Sequence, residues 1–261
     1  MIAHLYIDIE TVPAQRPDVL EEIREACKAE LEAALLAVKP PSNYGADAAT
    51  KWWTEKGNPQ ITALQAAHEA TVDAAYRKTG LDGTFGQICV IGWALNDNDV
   101  RTIWNQDWAS SERELLESFG CALTDAIPTN TERTTCVVGH NVAGFDLRYL
   151  AQRSIVNNVR PHRVIAAAAQ AKPWEIERVY DTMIQWGGAG AKPGGSLDKL
   201  CRALSIPTPK GDITGATVWD AVQAGRIADV AAYCARDVAA VRAIHRRMTF
   251  QVVEQFEDVP A

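Results

Sequence analysis

The sequence predicts an α/β protein with a mixed central sheet and helices packed on its faces. The first apolar run, Ala3–Ile9, has the length and composition of a buried strand. Gln87–Leu95 and Val100–Trp104 flank the turn formers of residues 96–99, which predicts an antiparallel hairpin. Beyond the hairpin, strand and helix patterns alternate. A strand, a hairpin and this alternation together give the fold class.

The remaining elements follow from helix-start residues, apolar periodicity and breakers. Helices are predicted over Pro17–Lys39 and Ile61–Lys78, and residues 14–85 are interpreted as a helical insertion after the first strand. The whole chain, residues 1–261, is interpreted as a single domain. The later predicted elements are a helix capped by Ser110 or Ser111 and reaching about Ile127, a strand at Cys136–Gly139, a helix beginning near Gly144, loops around a short segment at Val179–Trp186, a helix capped by Ser196 and ending at Leu204, and a long helix over Ile227–Met248.

Composition and charge exclude several classes of protein. With 47% hydrophobic and 23% charged residues, the chain has the composition of a globular protein. No apolar run approaches the roughly 20 residues that span a bilayer, and no leader-like segment precedes Asp8, so we expect a cytoplasmic protein without a membrane partner. The six cysteines are scattered, which favours reduced, mostly buried thiols. A net charge of −7 argues against coating long stretches of duplex through phosphate contacts.

Three acidic segments carry the chemistry. Asp8 and Glu10 lie two apart on a strand, so their side chains share a face and can share a cation. Asp146 follows a strand end and opens a helix, where it can be either a ligand or a helix-capping carboxylate. Tyr233 and Asp237 lie four apart on one helical face. Taken singly, each segment also has an ordinary explanation: a solvated pair, a cap, and a tyrosine at the core edge.

Taken together, the three segments resemble the tyrosine subclass of the DEDD exonuclease family. The residues that carry the resemblance are Asp8-x-Glu10, Asn141 with three residues before Phe145-Asp146, and Tyr233 with three residues before Asp237, in that order along the chain. The sister subclass has a histidine five residues before the last aspartate, where this chain has Ala232. The middle segment is similar to the exonuclease domain of family-B DNA polymerases and to free-standing predicted exonucleases of phage and bacteria. The resemblance covers residues 1–13 and about 86–250.

The resemblance implies a ribonuclease H-like fold, a single exonuclease domain and a specific set of roles. Asp8, Glu10, Asp146 and Asp237 would hold two divalent ions, Mg²⁺ or Mn²⁺, which suit hard carboxylate oxygens. Tyr233 would orient the attacking water. The reaction implied is hydrolysis of phosphodiester bonds from the 3′ end of single-stranded DNA, with release of nucleoside 5′-monophosphates.

Three further residues, Thr11, Asn141 and Phe145, are candidates for binding the substrate, and Glu10 would also contact it. Glu10 would receive the terminal 3′-hydroxyl, and Asn141 and Phe145 would contact the penultimate nucleotide by hydrogen bonding and stacking. For Phe145, packing in the core is the alternative. Thr11 would bond the sugar or phosphate, or else its hydroxyl satisfies backbone in a turn.

Two rival functions use the same residues differently. An exoribonuclease would share the chemistry and differ in how its pocket treats the 2′-hydroxyl. A catalytically silent nucleic-acid-binding protein would keep the fold, but binding alone does not require four carboxylates and a tyrosine. The preference for DNA rests on the resemblance to proofreading domains, and it places the protein in repair, recombination or phage DNA metabolism. No motif identifies a protein partner.

The insertion and the basic residues are open to two interpretations each. Trp52 and Trp53 either belong to a flap that clamps a single strand or staple helices to one another. Lys210 stands in a loop from which a lysine could reach a phosphate. Several arginines follow the middle and last motifs and form either a phosphate-binding strip or solvated helix faces; these are Arg148, Arg153, Arg160, Arg163, Arg242, Arg246 and Arg247.

Overall fold

The computed structural model describes residues 2–188, 194–209 and 211–251. Lys210 lies outside these residues, as do residues 189–193 of the Gly- and Pro-rich loop region and the tail from 252 onward. No helix in the described part of the chain is both long and apolar enough to cross a membrane.

A mixed five-stranded sheet with flanking helices forms the core of the described residues, which confirms the predicted α/β class. Its strand order is β3-β2-β1-β4-β5, with β1 antiparallel to β2 and parallel to β4, β2 antiparallel to β3, and β4 parallel to β5. The strands are β1 (Ala3–Val12), β2 (Gln87–Leu95), β3 (Arg101–Trp104), β4 (Thr135–Gly139) and β5 (Val179–Asp181). The α-helices are α1 (Pro17–Ala37), α2 (Ala46–Trp52), α3 (Asn58–Lys78), α4 (Glu112–Ala126), α5 (Asp146–Val156), α6 (Arg163–Ala168), α7 (Thr182–Gly187), α8 (Leu197–Ala203), α9 (Val218–Gln223) and α10 (Ile227–Met248).

The central strand β1 is buried on both faces, and its alternation decides which face receives the acidic residues. Leu5, Ile7 and Ile9 lie in the core cluster that α4, α5 and α6 complete. Tyr6 and Val12 point to the opposite face, where α10 packs on the sheet. Residues 8 and 10 share the parity of residues 6 and 12, so the strand directs both carboxylates toward α10.

The helical segment between β1 and β2 differs in detail from the prediction. The helix expected from Ile61 begins at Asn58, because Pro59 occupies its first turn, where a missing backbone N–H breaks no helical hydrogen bond. A π-helical turn, Trp53–Gly57, joins it to α2. The sequence pattern did not predict this turn. Trp52 and Trp53 contact each other edge to face, with ring centroids 5.2 Å apart.

The chain forms two compact units. One contains β1 and the chain from Gln87 onward, and the other spans Pro13–Gly86. Within the second unit, α1 packs along α3, and the Tyr76 hydroxyl donates to the Ala14 carbonyl at 2.8 Å. That the two units constitute one exonuclease domain, with residues 14–85 as its insertion, stays a prediction.

A buried ion pair joins α4, α5 and β2. Glu112, the first residue of α4, accepts hydrogen bonds from Arg153 Nε at 2.8 Å and from Arg153 Nη2 at 2.6 Å. It also accepts from the Ile88 backbone N–H and from Asn157 Nδ2, each at 2.8 Å. Both charged side chains are more than 90% buried. Because α5 begins at Asp146, this pair fixes the helix that carries the middle acidic residue.

We predict that Glu112→Gln lowers the free energy of unfolding by about 3–5 kcal/mol, because it leaves the buried Arg153 without this counter-charge. Glu117→Gln is the matched control: Glu117 pairs with Arg113 on the exposed side of the same helix, and its replacement should cost about 0.5 kcal/mol or less. Denaturant unfolding of the three proteins measures both values. Equal losses for the two variants would contradict a structural role for the buried pair.

Candidate active site

The first two acidic residues lie where β1 passes beneath α10. One carboxylate oxygen each of Asp8 and Glu10, and the Cys234 sulfur of α10, all lie within 4.8 Å of one another. Glu10 is buried and Asp8 is half-buried. The strand pairing shifts register just after the second carboxylate: Glu10 pairs with Val90 and Thr11 with Ile88, so the extra residue, Cys89, belongs to β2.

Asp146 is tied directly to the same strand. It is the first residue of α5 and is 4% exposed, and its Oδ1 accepts a hydrogen bond from the Ile9 backbone N–H at 3.1 Å. Ile9 lies between Asp8 and Glu10 in sequence. This one hydrogen bond therefore brings the middle acidic residue to the first two.

Tyr233 and Asp237 lie one turn apart on α10, and both are buried. The Tyr233 hydroxyl acts on the Asp237 carboxyl and lowers its pKa. One carboxylate oxygen, Asp237 Oδ1, is buried and has no hydrogen-bond partner within the described part of the chain. Close packing of α10 on β2 depends on Gly92, where an added Cβ would lie 2.8 Å from the Cys234 sulfur.

The pKa values of the four acids are raised because the carboxyl groups are buried away from water and, for all but Asp237, because other carboxyl groups lie close by. Burial raises the pKa of Asp8 well above its usual range, and the charges of Glu10, Asp146 and Asp237 raise it further. Burial, followed by the charges of Asp237 and Asp146, also raises the pKa of Glu10. Burial raises the pKa of Asp146 to about 8. Burial raises the pKa of Asp237 to about 6, against the lowering effects of the Tyr233 hydrogen bond and the Arg236 charge.

The four acids fit a divalent cation. Within the described residues, Asp8, Glu10, Asp146 and Asp237 form no ion pair with lysine, arginine or histidine. Buried carboxylates are normally paired or bound to metal, and their oxygens are the donors that Mg²⁺ and Mn²⁺ prefer. The unpartnered oxygen of Asp237 has the free lone pairs that such an ion requires.

The loop before Asp146 is held by a residue that the sequence did not single out. Asp181, at the end of β5, accepts backbone hydrogen bonds from Asn141 and Ala143, each at 3.0 Å. The same carboxylate caps α7 through the Met183 and Ile184 N–H groups. Asp181 stands at the end of a short apolar strand, as Asp8 does near the end of β1, and this shared position is a signal that could have identified it.

The three predicted substrate-binding residues lie near the cluster in sequence and differ in their surroundings. Asn141 has a left-handed backbone conformation, with φ of 60°, and its Oδ1 packs so close to Gly144 that an added Cβ there would lie 2.6 Å away. Phe145 is half-buried and packs against the core and against Tyr149, with ring centroids 5.3 Å apart. Thr11 is half-buried beyond the register shift of β1. Their contacts with substrate stay predictions.

Three of the arginines considered for a phosphate-binding strip are bound elsewhere in the fold. Arg153 is buried against Glu112. Arg242 donates to the Asn96 and Asn98 carbonyls in the β2–β3 turn, and Arg246 pairs with Asp97 in that turn. The turn follows Leu95, which pairs with Leu5 of β1, whereas Gly92 and Val90 pair with Asp8 and Glu10, so the turn lies away from the acidic residues along the strand.

Arg236 is a basic residue next to the acidic cluster that the sequence analysis overlooked. Its guanidinium lies over the Tyr233 ring, 5.9 Å from the centroid, and its Nε donates to the Pro209 carbonyl at 3.1 Å. The residue is exposed, and its charge lowers the pKa of Asp237. Its place inside the Tyr233-x-x-x-Asp237 segment was visible in the sequence.

Residues 81–254 match a family described as a predicted 3'-5' exonuclease related to the exonuclease domain of PolB. The match covers two thirds of the chain. The chain belongs to this family. The matched range contains Asp146, Tyr233 and Asp237, and it begins after β1, which carries Asp8 and Glu10. A search of curated proteins finds no match to the chain.

Membership of this exonuclease family agrees with the sheet and with the acidic cluster. The family supports a nuclease, a hydrolase that acts on nucleic acid. Asp8, Glu10 and Cys234 form a group of side chains that could hold a divalent metal, on the side of β1 that faces α10. The predicted exonuclease class is therefore supported at the level of the family.

We predict that the metal-free protein loses stability as pH rises. A carboxyl group whose pKa is raised on folding stabilises the folded state below its unfolded pKa of about 4, and that stability is lost as pH rises through the folded pKa. For Asp146 the loss extends to about pH 8. Asp146→Asn keeps an oxygen for the Ile9 N–H and removes the charge, so its stability should depend less on pH.

The measurement is the free energy of unfolding by denaturant, in the presence of a chelator, between about pH 4 and pH 8. Asp125→Asn, on the exposed side of α4, is the control and should follow the wild-type curve. Wild-type stability that stays constant or increases with pH across this range would contradict the account of a repulsive buried cluster.

Proposed function

We propose that the protein is a metal-dependent 3′–5′ exonuclease of the tyrosine DEDD subclass that removes nucleoside 5′-monophosphates from single-stranded DNA. The observation that carries the proposal is Asp237 Oδ1, which is buried and has no hydrogen-bond partner among the described residues, and which belongs to a group of four acids that form no ion pair there. A binding protein gains nothing from such a cluster, because its mutual repulsion is a cost in stability. A metal-dependent hydrolase requires it.

Asp8, Glu10, Asp146 and Asp237 would hold two divalent cations, whose charge would make a water molecule nucleophilic and would stabilise negative charge on the phosphate oxygens. The family's divalent-metal chemistry and the donor set of this site support that assignment. Mg²⁺ and Mn²⁺ are the ions that an all-oxygen set of this kind favours.

Tyr233 positions the attacking water and does not act as the base that removes a proton from it. Burial raises the pKa of its hydroxyl above the normal value, and the charges of Asp237 and Glu10 raise it further. The side chain therefore stays a neutral phenol, which can donate one hydrogen bond and accept another. In this proposal its hydroxyl orients the attacking water toward the terminal phosphodiester bond.

The substrate end is held by the loop that precedes Asp146. Asn141 and Phe145 would contact the penultimate nucleotide, Thr11 the sugar or phosphate, and Glu10 the terminal 3′-hydroxyl. The contacts of Asp181 with the Asn141 and Ala143 N–H groups support this, because they make the loop rigid before substrate arrives. The net charge of −7 argues against a grip on a long duplex.

The family's relation to the exonuclease domain of PolB supports DNA as the substrate. Digestion of matched DNA and RNA oligonucleotides, labelled at the 5′ end, tests the reaction in Mg²⁺, in Mn²⁺ and in chelator. The expected result is a metal-dependent ladder that shortens from the 3′ end, with DNA cleaved faster. Faster RNA cleavage would move the assignment to an exoribonuclease, and no cleavage in any condition would favour a silent binding protein.

We predict that Asp237→Ala lowers the rate about a thousandfold or more, because metal stabilisation of the transition state is worth several kcal/mol. Tyr233→Phe, which loses the hydroxyl that orients the water, should lower it about a hundredfold. Asp229→Ala is the matched control, since Asp229 lies on the same helix in an exposed pair with Arg226. Single-turnover digestion measures the rates, and a folded, fully active Asp237→Ala protein would contradict the assignment.

A further inference from the structure

Cys234 lies beside the first two acidic residues and has no role in the proposed reaction. It follows Tyr233 on α10 and is fully buried. Its sulfur lies 3.4 Å from Asp8 Oδ2 and 3.5 Å from the Asp8 carbonyl oxygen. Gly92 of β2 leaves the space that the sulfur occupies. Packing therefore fixes the thiol next to a carboxylate that the proposed function assigns to metal.

The spacing of the donor atoms is close to that of a single coordination sphere. One ligand atom each of Asp8, Glu10 and Cys234 lies within 4.8 Å of the other two. Zinc–sulfur bonds are about 2.3 Å and zinc–oxygen bonds about 2.0–2.2 Å, so in tetrahedral geometry a sulfur and an oxygen ligand of one ion are roughly 3.5–3.7 Å apart. The 3.4 Å between the Cys234 sulfur and Asp8 Oδ2 is close to this spacing, and side-chain rotation of up to about 1 Å brings the Glu10 oxygen to it as well.

A fourth side chain supports a bound cation at this place. Asp237 is 6% exposed, and its Oδ1 has no hydrogen-bond partner among the residues that the structure describes. Asp237 lies three residues after Cys234 on α10, so the two side chains are neighbours on one side of the helix.

We propose that Asp8, Glu10 and Cys234 form a mixed carboxylate–thiolate site that binds a thiophilic divalent cation, Zn²⁺ or Cd²⁺, more tightly than Mg²⁺. Thiolate ligands select such ions, whereas Mg²⁺ takes oxygen ligands. Binding forms a sulfur–metal bond and releases the thiol proton to solvent. The inference rests on the proposed function, since it takes Asp8 and Glu10 as metal ligands. An ion held in this way competes with Mg²⁺ for them.

The test is a Cd²⁺ titration of the metal-free protein, followed by the ultraviolet thiolate-to-metal charge-transfer absorbance. All variants carry Cys121→Ser, because Cys121 is the exposed cysteine. Adding Cys234→Ser should abolish the absorbance and lower Cd²⁺ affinity at least about tenfold more than Mg²⁺ affinity. Adding Cys136→Ser, which replaces a buried cysteine of β4, should leave the absorbance intact.

Calorimetric titration with Cd²⁺ and Mg²⁺ separates this inference from the proposed function. Mg²⁺ binding together with a Cd²⁺ response that Cys234→Ser does not change would overturn the thiolate site and leave the metal-dependent exonuclease in place. Failure of every divalent ion to bind would overturn both. If Cys234→Ser does not fold, Glu10→Gln tests the same site: it keeps the thiol and removes a carboxylate, so unchanged Cd²⁺ absorbance and affinity would overturn the proposal.

Discussion

Repulsion among four buried or half-buried carboxyl groups is the constraint around which the rest of the fold is arranged. Burial and mutual charge raise the pKa of Asp8, Glu10 and Asp146, and burial raises that of Asp237. The acids come from three segments that are far apart in sequence, so the chain must hold them together against their own charge. The Ile9–Asp146 hydrogen bond and the packing of α10 over Gly92 do so directly.

Other contacts hold the elements that carry the acids. The Glu112–Arg153 pair fixes α5 to α4 and β2, and Asp181 fixes the loop that leads into α5. Glu112 and Asp181 are not among the four acids of the cluster. They each accept several hydrogen bonds, whereas one oxygen of Asp237 has no partner among the described residues. This difference distinguishes carboxylates that stabilise the fold from carboxylates available to a cation.

The sequence predicted the parts of this structure that depend on local pattern. Strand alternation put Asp8 and Glu10 on one face, turn formers gave the β2–β3 hairpin, and apolar periodicity gave α10. Contacts between distant residues were not predictable. From the sequence alone, Arg153 has the pattern of a basic surface residue, because its partner Glu112 lies 41 residues away along the chain. Ser111 precedes α4 as expected, but its side chain makes no capping hydrogen bond, and Glu112 forms the buried pair instead.

Thermal unfolding with and without Mn²⁺, for the wild type and for Asp8→Asn/Asp237→Asn, tests the central claim most directly. A cation that binds the folded protein stabilises it by an amount that grows with the logarithm of the cation concentration relative to its dissociation constant, and so raises the unfolding temperature. The account predicts that Mn²⁺ raises the unfolding temperature of the wild type and leaves that of the double variant unchanged. An equal effect of Mn²⁺ on both proteins, or no effect on the wild type, would contradict it.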